Sequence, residues 1–305
     1  MFAIPSTGVP ALPDTATLLP EVHPLADGAT LYALPSTSTE LVRLDLLHEA
    51  GSAYQPQMIC ASAANRLYTV ASEEMDAREV AEFMDYRGIV VEHNTEVLAT
   101  TTTFYFLRRY LDDILPVISQ LLNRPAFPQD DFEVLLRKRK QELQALQLKS
   151  ADVARRGFYQ TLFSPDHPLG LYANPEDADR LDRDTVLRYF HERYSTMDIV
   201  LSGNIDQTVI KKVSCELRPE EGNRSIKPTR LSTLHSPFST PHSPISTPIP
   251  GSVQTTLRVG RILPLSWDSM DYARFMLLTT LLGGYFGSRL MSNLREDKGD
   301  RKSVV

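Results

Sequence analysis

The sequence predicts an α+β fold: an antiparallel sheet with helices packed on one face. Three observations carry that prediction. Runs that alternate apolar with polar residues recur, at TLYALP (Thr30 to Pro35) and ELVRLDLLHEA (Glu40 to Ala50). Two β-branched and aromatic runs stand side by side, IVVEHNTE and VLATTTTFYFLRR. Helical patterns then fall between and after these strands without the regular βαβ alternation of a doubly wound sheet.

The elements follow in order. ICASAANRLYTVAS begins just after the second strand and predicts a mostly buried helix over residues 58–70. Asp76 with Glu79 forms a capping-box pattern, Val80, Phe83 and Met84 line one face, and Gly88 stops the helix. The two runs between Ile89 and Arg109 predict an antiparallel pair. Leu111 to Leu122 predicts an apolar-faced helix, broken by Pro125 and Pro128. Asp130 or Asp131 is placed to cap a long helix from about Phe132 to Leu148. A further helix is expected around Asp184 to Tyr194, and IVLSGNI is expected to be a strand.

Residues 218–250 differ in composition. They are rich in Pro, Ser and Thr and hold almost no core formers, which predicts a linker. SVQTTLRVGRILP then predicts a new strand, and DYARFMLLTTLLGG and SRLMSNLRED predict helices. A second domain starts there, with too few residues to finish it. The predicted divisions are an N-terminal extension (1–27), a first domain (28–217), the linker (218–250) and the start of a second domain (251–305).

Composition narrows the function. The chain has 305 residues and a net charge of -6, which argues against nucleic acid as a partner. No apolar run has the length to span a bilayer, so no membrane partner is expected. Cys60 and Cys215 read as two buried thiols in a reducing compartment. With no basic and apolar leader at the start, the chain is expected to be cytoplasmic.

Four stretches together carry a resemblance. They are LDLLHEAGSAYQP, LLNRPAFPQDDFEVLLRKRKQELQ, the run from SPDHPLG to SGNID, and LLGGYFGSRLMSNLREDKG. The succession resembles the insulinase, pitrilysin and mitochondrial processing peptidase family of inverted zincins. The resemblance implies two homologous α+β domains joined by a linker, in a clamshell that closes around a peptide. It also implies a natural chain that runs on beyond Gly299. The ending Asp300 to Val305 is expected to carry no functional weight.

That family holds zinc with H-x-x-E-H on the first helix. Two histidines four apart share a helix face, and the glutamate between them polarises a metal-bound water. Laid on this chain, the histidines fall on Ser62 and Arg66 and the glutamate on Asn65. The distant third ligand falls on or beside Glu142. A hydroxyl and a fixed cation do not replace two imidazoles. No other H-x-x-E-H or H-E-x-x-H occurs, so the expectation is a pseudo-peptidase with no zinc. Restoring Ser62→His, Asn65→Glu and Arg66→His is expected to recover metal binding if that register holds.

The resemblance implies a partner: a homologous catalytic subunit with an intact H-x-x-E-H, whose peptide chamber this chain completes in a heterodimer. Arg295 in NLREDKG matches an arginine that such a subunit offers in trans to substrate at the partner's zinc. The tyrosine expected seven residues later is Lys302 here. Two other functions stay open, an active metalloendopeptidase with a divergent site and a purely structural core subunit. Plainer roles stand beside the site residues. Ser62, Asn65 and Arg66 fit an ordinary helix face, Arg295 fits a local ion pair, and RKRK at 137–140 fits a solvated helix face. His167 fits a turn built with Pro168, and LGGYFGS fits a tight turn before a helix.

Overall fold

The computed structural model describes residues 19–25, 28–36, 38–163, 167–217, 245–252, 255–266 and 268–298, apart from the side chains of 295 and 296. Six strands form one sheet: β1 (Glu21–Pro24), β2 (Thr30–Pro35), β3 (Leu41–His48), β4 (Val90–Thr95), β5 (Thr100–Leu107) and β6 (Asp198–Gly203). Their order is β1-β2-β6-β3-β5-β4. Four of the neighbouring pairs are antiparallel; β2 and β6 run parallel.

Two of these features lie outside what the sequence predicts. β1 falls within the stretch read as an N-terminal extension, and it pairs Val22 with Tyr32. EVHP is too short to show a period of two, so only its partner defines it as a strand. The parallel pairing arises because β6 returns from the far end of the domain and inserts between β2 and β3. Alternation within a strand does not encode the direction of its neighbour.

The helices cover one face. Val42, Leu44 and Leu46 of β3 point toward them, as do Phe104 and Phe106 of β5 and Ile199 and Leu201 of β6. Against these pack α2 (Ala77–Arg87), α3 (Leu111–Asn123) and α8 (Gln207–Glu216). A second apolar cluster joins α1 (Cys60–Leu67) to α4 (Gln129–Gln147), α6 (Pro175–Arg180) and α7 (Arg183–Arg193). α5 (Ser150–Leu162) is a separate helix after a break at Lys149.

Local signals set several boundaries. Asp76 and Glu79 make a reciprocal capping box at α2, and Gly88 closes that helix at φ 62°. Asp182 caps α7 by accepting from the Thr185 amide. The cap expected at Asp130 or Asp131 moves to Pro128, and both aspartates lie in the first turn of α4, favourable to its dipole. His167 builds the expected turn: its Nδ1 accepts from the Leu169 amide at 3.1 Å, and its ring stacks on Phe163. Cys60 is buried as expected, whereas Cys215 is exposed.

The chain divides into two compact units, residues 1–258 and 259–305. Most of the expected linker, 218–244, lies outside the described residues. The strand expected from SVQTTLRVGRILP is not formed: residues 255–266 have no regular secondary structure. A strand needs a hydrogen-bonded neighbour, and the described part of the second unit offers none. That unit holds α9 (Met270–Thr279), a π-turn (Thr280–Gly284) and a short helical segment from Arg289 to Asp297. Leu277 and Phe286 of this unit are 63% and 66% exposed.

One glycine fixes where the β4–β5 hairpin sits. A Cβ on Gly51 would meet the Val97 carbonyl oxygen at 2.3 Å, and that backbone cannot swing aside. Gly51→Ala is therefore expected to cost about 1–3 kcal/mol in urea unfolding. Gly157→Ala, in the middle of α5 with nothing near its Cβ, is expected to stabilise by about 0.5–1 kcal/mol. Equal effects from the two substitutions would refute the contact.

Candidate functional site

Ser62, Asn65 and Arg66 lie together on α1, but they do different things. Ser62 is half-buried, and its hydroxyl donates to the Ile59 carbonyl at 2.9 Å. Asn65 is fully buried. Its Nδ2 donates to the carbonyls of Asn94 (2.9 Å) and Thr101 (3.3 Å). Its Oδ1 accepts from Thr102 Oγ1 (2.9 Å) and from the Tyr194 hydroxyl (3.4 Å). A carboxamide has two donors and two lone pairs, and all four are in use. Asn65 thus fastens α1 to β4, β5 and α7. Arg66, the next residue, is exposed.

One turn on, Thr69 makes a second fastening. Its hydroxyl donates to the Arg66 carbonyl at 3.0 Å and lies 2.8 Å from Nε2 of His93 on β4. The hydroxyl proton is already committed, so the imidazole donates from Nε2. Burial, helped by the nearby Arg66 charge, pushes the pKa of His93 down to about 4. Its ring is neutral at physiological pH.

Behind α1 sits an aromatic cluster. The His48 ring lies 4.3 Å from the Tyr194 ring, which stacks on Phe190 at 4.6 Å. Tyr68 meets both Tyr194 and Phe190. His48 is 1% exposed, and its Nδ1 is 3.2 Å from the Thr196 carbonyl. Desolvation pushes its pKa from 6.5 down to about 4. Sequence reasoning left His48 and the tyrosines unassigned. Their spacing carries no ligand pattern, and only the fold brings strand end and helices together.

In front of α1 lies an open cavity of about 720 Å³. Arg66, His93, Asn94, Glu96, Arg43 and Asp45 are among its lining residues. Asp45 is buried and accepts from Arg43 (3.0 Å) and Thr103 (2.6 Å). The cavity borders β4, the last strand of the sheet. The Glu96 amide donates to the Ala99 carbonyl, which sets the alternation of the β4–β5 ladder. The N–H and C=O of Val91 and His93 then point to the outer edge.

Glu142 is exposed and accepts from Arg139 at 3.1 Å, as a surface pair on α4. Among the described residues, no group of three His, Cys, Asp or Glu side chains is placed to hold a metal ion. The donor set at 62, 65 and 66 does not fit zinc. The hydroxyl is donating, the carboxamide is saturated, and the guanidinium repels a cation. Arg295 lies in the segment Ser292–Asp297, and its side chain falls outside the described residues, as does Lys302. Among the described residues, no helix is long and apolar enough to cross a membrane.

Residues 180–304 match the family described as Peptidase M16 inactive domain. A non-peptidase homolog, YmxG of Helicobacter pylori, is 25% identical over 242 residues. That alignment covers 76% of this chain and 54% of the relative, so the chain spans about half the length of the curated relative it matches. The chain is thus similar to non-catalytic members of the M16 peptidase family. Solved structures share the M16 fold. The peptidase M16 inactive domain from Pseudomonas fluorescens superposes with a TM-score of 0.72 at 16% identity, covering 92% of this chain and 68% of the other. A protease from Helicobacter pylori gives 0.70 at 17% identity, covering 92% and 69%. The first half of the periplasmic protease PqqL from Escherichia coli gives 0.59 at 16% identity, covering 70% and 48%.

The geometry around α1 changes the result expected from rebuilding the motif. A glutamate at 65 would place its carboxylate against the Asn94 and Thr101 carbonyls, acceptor facing acceptor. Asn65→Glu, alone or with Ser62→His and Arg66→His, is expected to unfold the domain. Asn65→Ala removes four hydrogen bonds at a buried site and is expected to cost about 3 kcal/mol in urea unfolding. A loss under about 1 kcal/mol would show that water replaces the amide.

The buried imidazoles add a pH dependence. His48 is neutral in the fold and faces the Tyr68 and Tyr194 rings and the Thr196 carbonyl. The unfolded chain takes up this proton below about pH 6.5 and the folded one only near 4. Stability is therefore full above about pH 6.5 and falls on the way to pH 4, by on the order of 3 kcal/mol from His48. His93 acts in the same direction. Urea unfolding at pH 8, 6, 5 and 4 checks this, and His48→Phe is expected to flatten the profile. An unchanged slope in that variant would contradict it.

Proposed function

We propose that this chain is the non-catalytic subunit of a metallopeptidase heterodimer. It carries no zinc of its own, and it completes the peptide-binding chamber of a homologous subunit with an intact H-x-x-E-H. The observation that carries this reading is the division of labour around α1. At the family's catalytic position, Asn65 is built into the framework, while the neighbouring β4 edge and cavity stay open. A chain that had lost every peptide-related role would have no need to keep that edge available. The outward N–H and C=O groups of Val91 and His93 suit an extended peptide added as a further strand.

In this reading the second domain faces the catalytic subunit. Arg295 donates hydrogen bonds to a substrate carbonyl, or to the oxyanion that develops at the partner's zinc. The free thiols Cys60 and Cys215 fit a reducing compartment, and we place the pair in the cytoplasm.

Co-expression with a neighbouring H-x-x-E-H homologue tests the assignment. Peptidase activity is expected only when both chains are present, with zinc at one per heterodimer. Arg295→Ala is expected to lower turnover by about tenfold or more while the complex still elutes as one species. Full activity from the homologue alone would leave this chain a structural subunit.

A further inference from the structure

The framework role of α1 leaves Arg66 unexplained. Its guanidinium is exposed, and it has no hydrogen-bond or ion-pair partner among the described residues. It nonetheless lines the cavity beside β4. The other charged groups lining that cavity are engaged. Arg43 pairs with Asp45, Glu96 accepts from Asn94 at 3.0 Å, and Glu92 accepts from the Tyr105 hydroxyl at 3.3 Å. His93 is held by Thr69 and is neutral. Arg66 is thus the unspent cation of the cavity, next to a strand edge with unpaired backbone groups.

We infer that Arg66 anchors the carboxylate of an extended peptide laid along the outer edge of β4. This rests on the peptide-binding reading above and goes beyond it by naming what the peptide must carry. A guanidinium offers two parallel N–H donors, and a carboxylate matches them in shape and charge. Glu92 and Glu96 lie in the same cavity and select against a doubly charged phosphate, which they would repel more strongly than a single carboxylate. The β4 edge supplies backbone pairing for the rest of the chain, and Arg66 then fixes its register. Two sources share this chemistry: a C-terminal carboxylate, or the side chain of an Asp or Glu within the peptide.

Fluorescence anisotropy with the purified full chain tests this, using three labelled ten-residue Thr/Val peptides. One has a free C-terminus, one is amidated, and one is amidated with a single internal Glu. At least one carboxylate-bearing peptide is expected to bind about tenfold more tightly than the plain amide. Which one does so identifies the source. Arg66→Gln is expected to erase that difference, and Arg66→Lys to restore part of it. Arg66 is exposed, so both variants are expected to melt with the parent protein, and a melt checks that. Equal binding of all three peptides, or a preference that survives Arg66→Gln, would overturn the inference and leave the peptide-binding reading standing. Binding of none would overturn both.

Discussion

The site depends on one buried carboxamide. Asn65 gives up all its contacts with water and recovers each of them from protein, on two strands and a second helix. A buried polar group is costly unless every donor and acceptor is met. The same condition makes Asn65 specific. Only one placement of α1 over β4 and β5 satisfies it, and that placement decides where Thr69 meets His93 and where Arg66 emerges. The aromatic cluster behind the helix adds apolar area but little direction. The amide supplies the direction.

In the register that the resemblance implies, position 65 is that of a glutamate that works on a metal-bound water. In this chain Asn65 serves the architecture, and its neighbour Arg66 is a fixed positive charge. A metal ion is a positive charge that a peptide carbonyl approaches; a guanidinium is another, with donors but no Lewis acidity. In the reading proposed above, the donors serve to attract a peptide, and Lewis acidity would be needed to cleave one.

Much of the fold was legible in the residues. The capping box at Asp76 and Glu79, the stop at Gly88 and the alternation of β3 each act within a few residues, so the local sequence contains the whole signal. The motif positions at 62, 65 and 66 rest on the resemblance alone. What each residue does there was not legible. Ser62, Asn65 and Arg66 read equally well as a plain helix face, because the partners of Asn65 lie 29 to 129 residues away. β1 and the parallel β2–β6 pairing escaped for the same reason, since each is defined by a neighbour remote in sequence. The strand expected after residue 251 had the right composition and no sheet to join.

The strand order bears on how the chain is made. β6 lies between β2 and β3, and its residues Asp198–Gly203 leave the ribosome long after both of them. At about 5–20 residues per second, roughly eight to thirty seconds separate the emergence of β3 from that of the strand that joins it to β2. Through that interval the sheet has two halves with exposed inner edges and no centre. β3, β5 and β4 are able to pair as a three-stranded unit, while β1 and β2 wait as a lone hairpin. The nascent chain therefore presents open strand edges to whatever binds them first, and a trigger-type chaperone or an early partner subunit would meet it in that state.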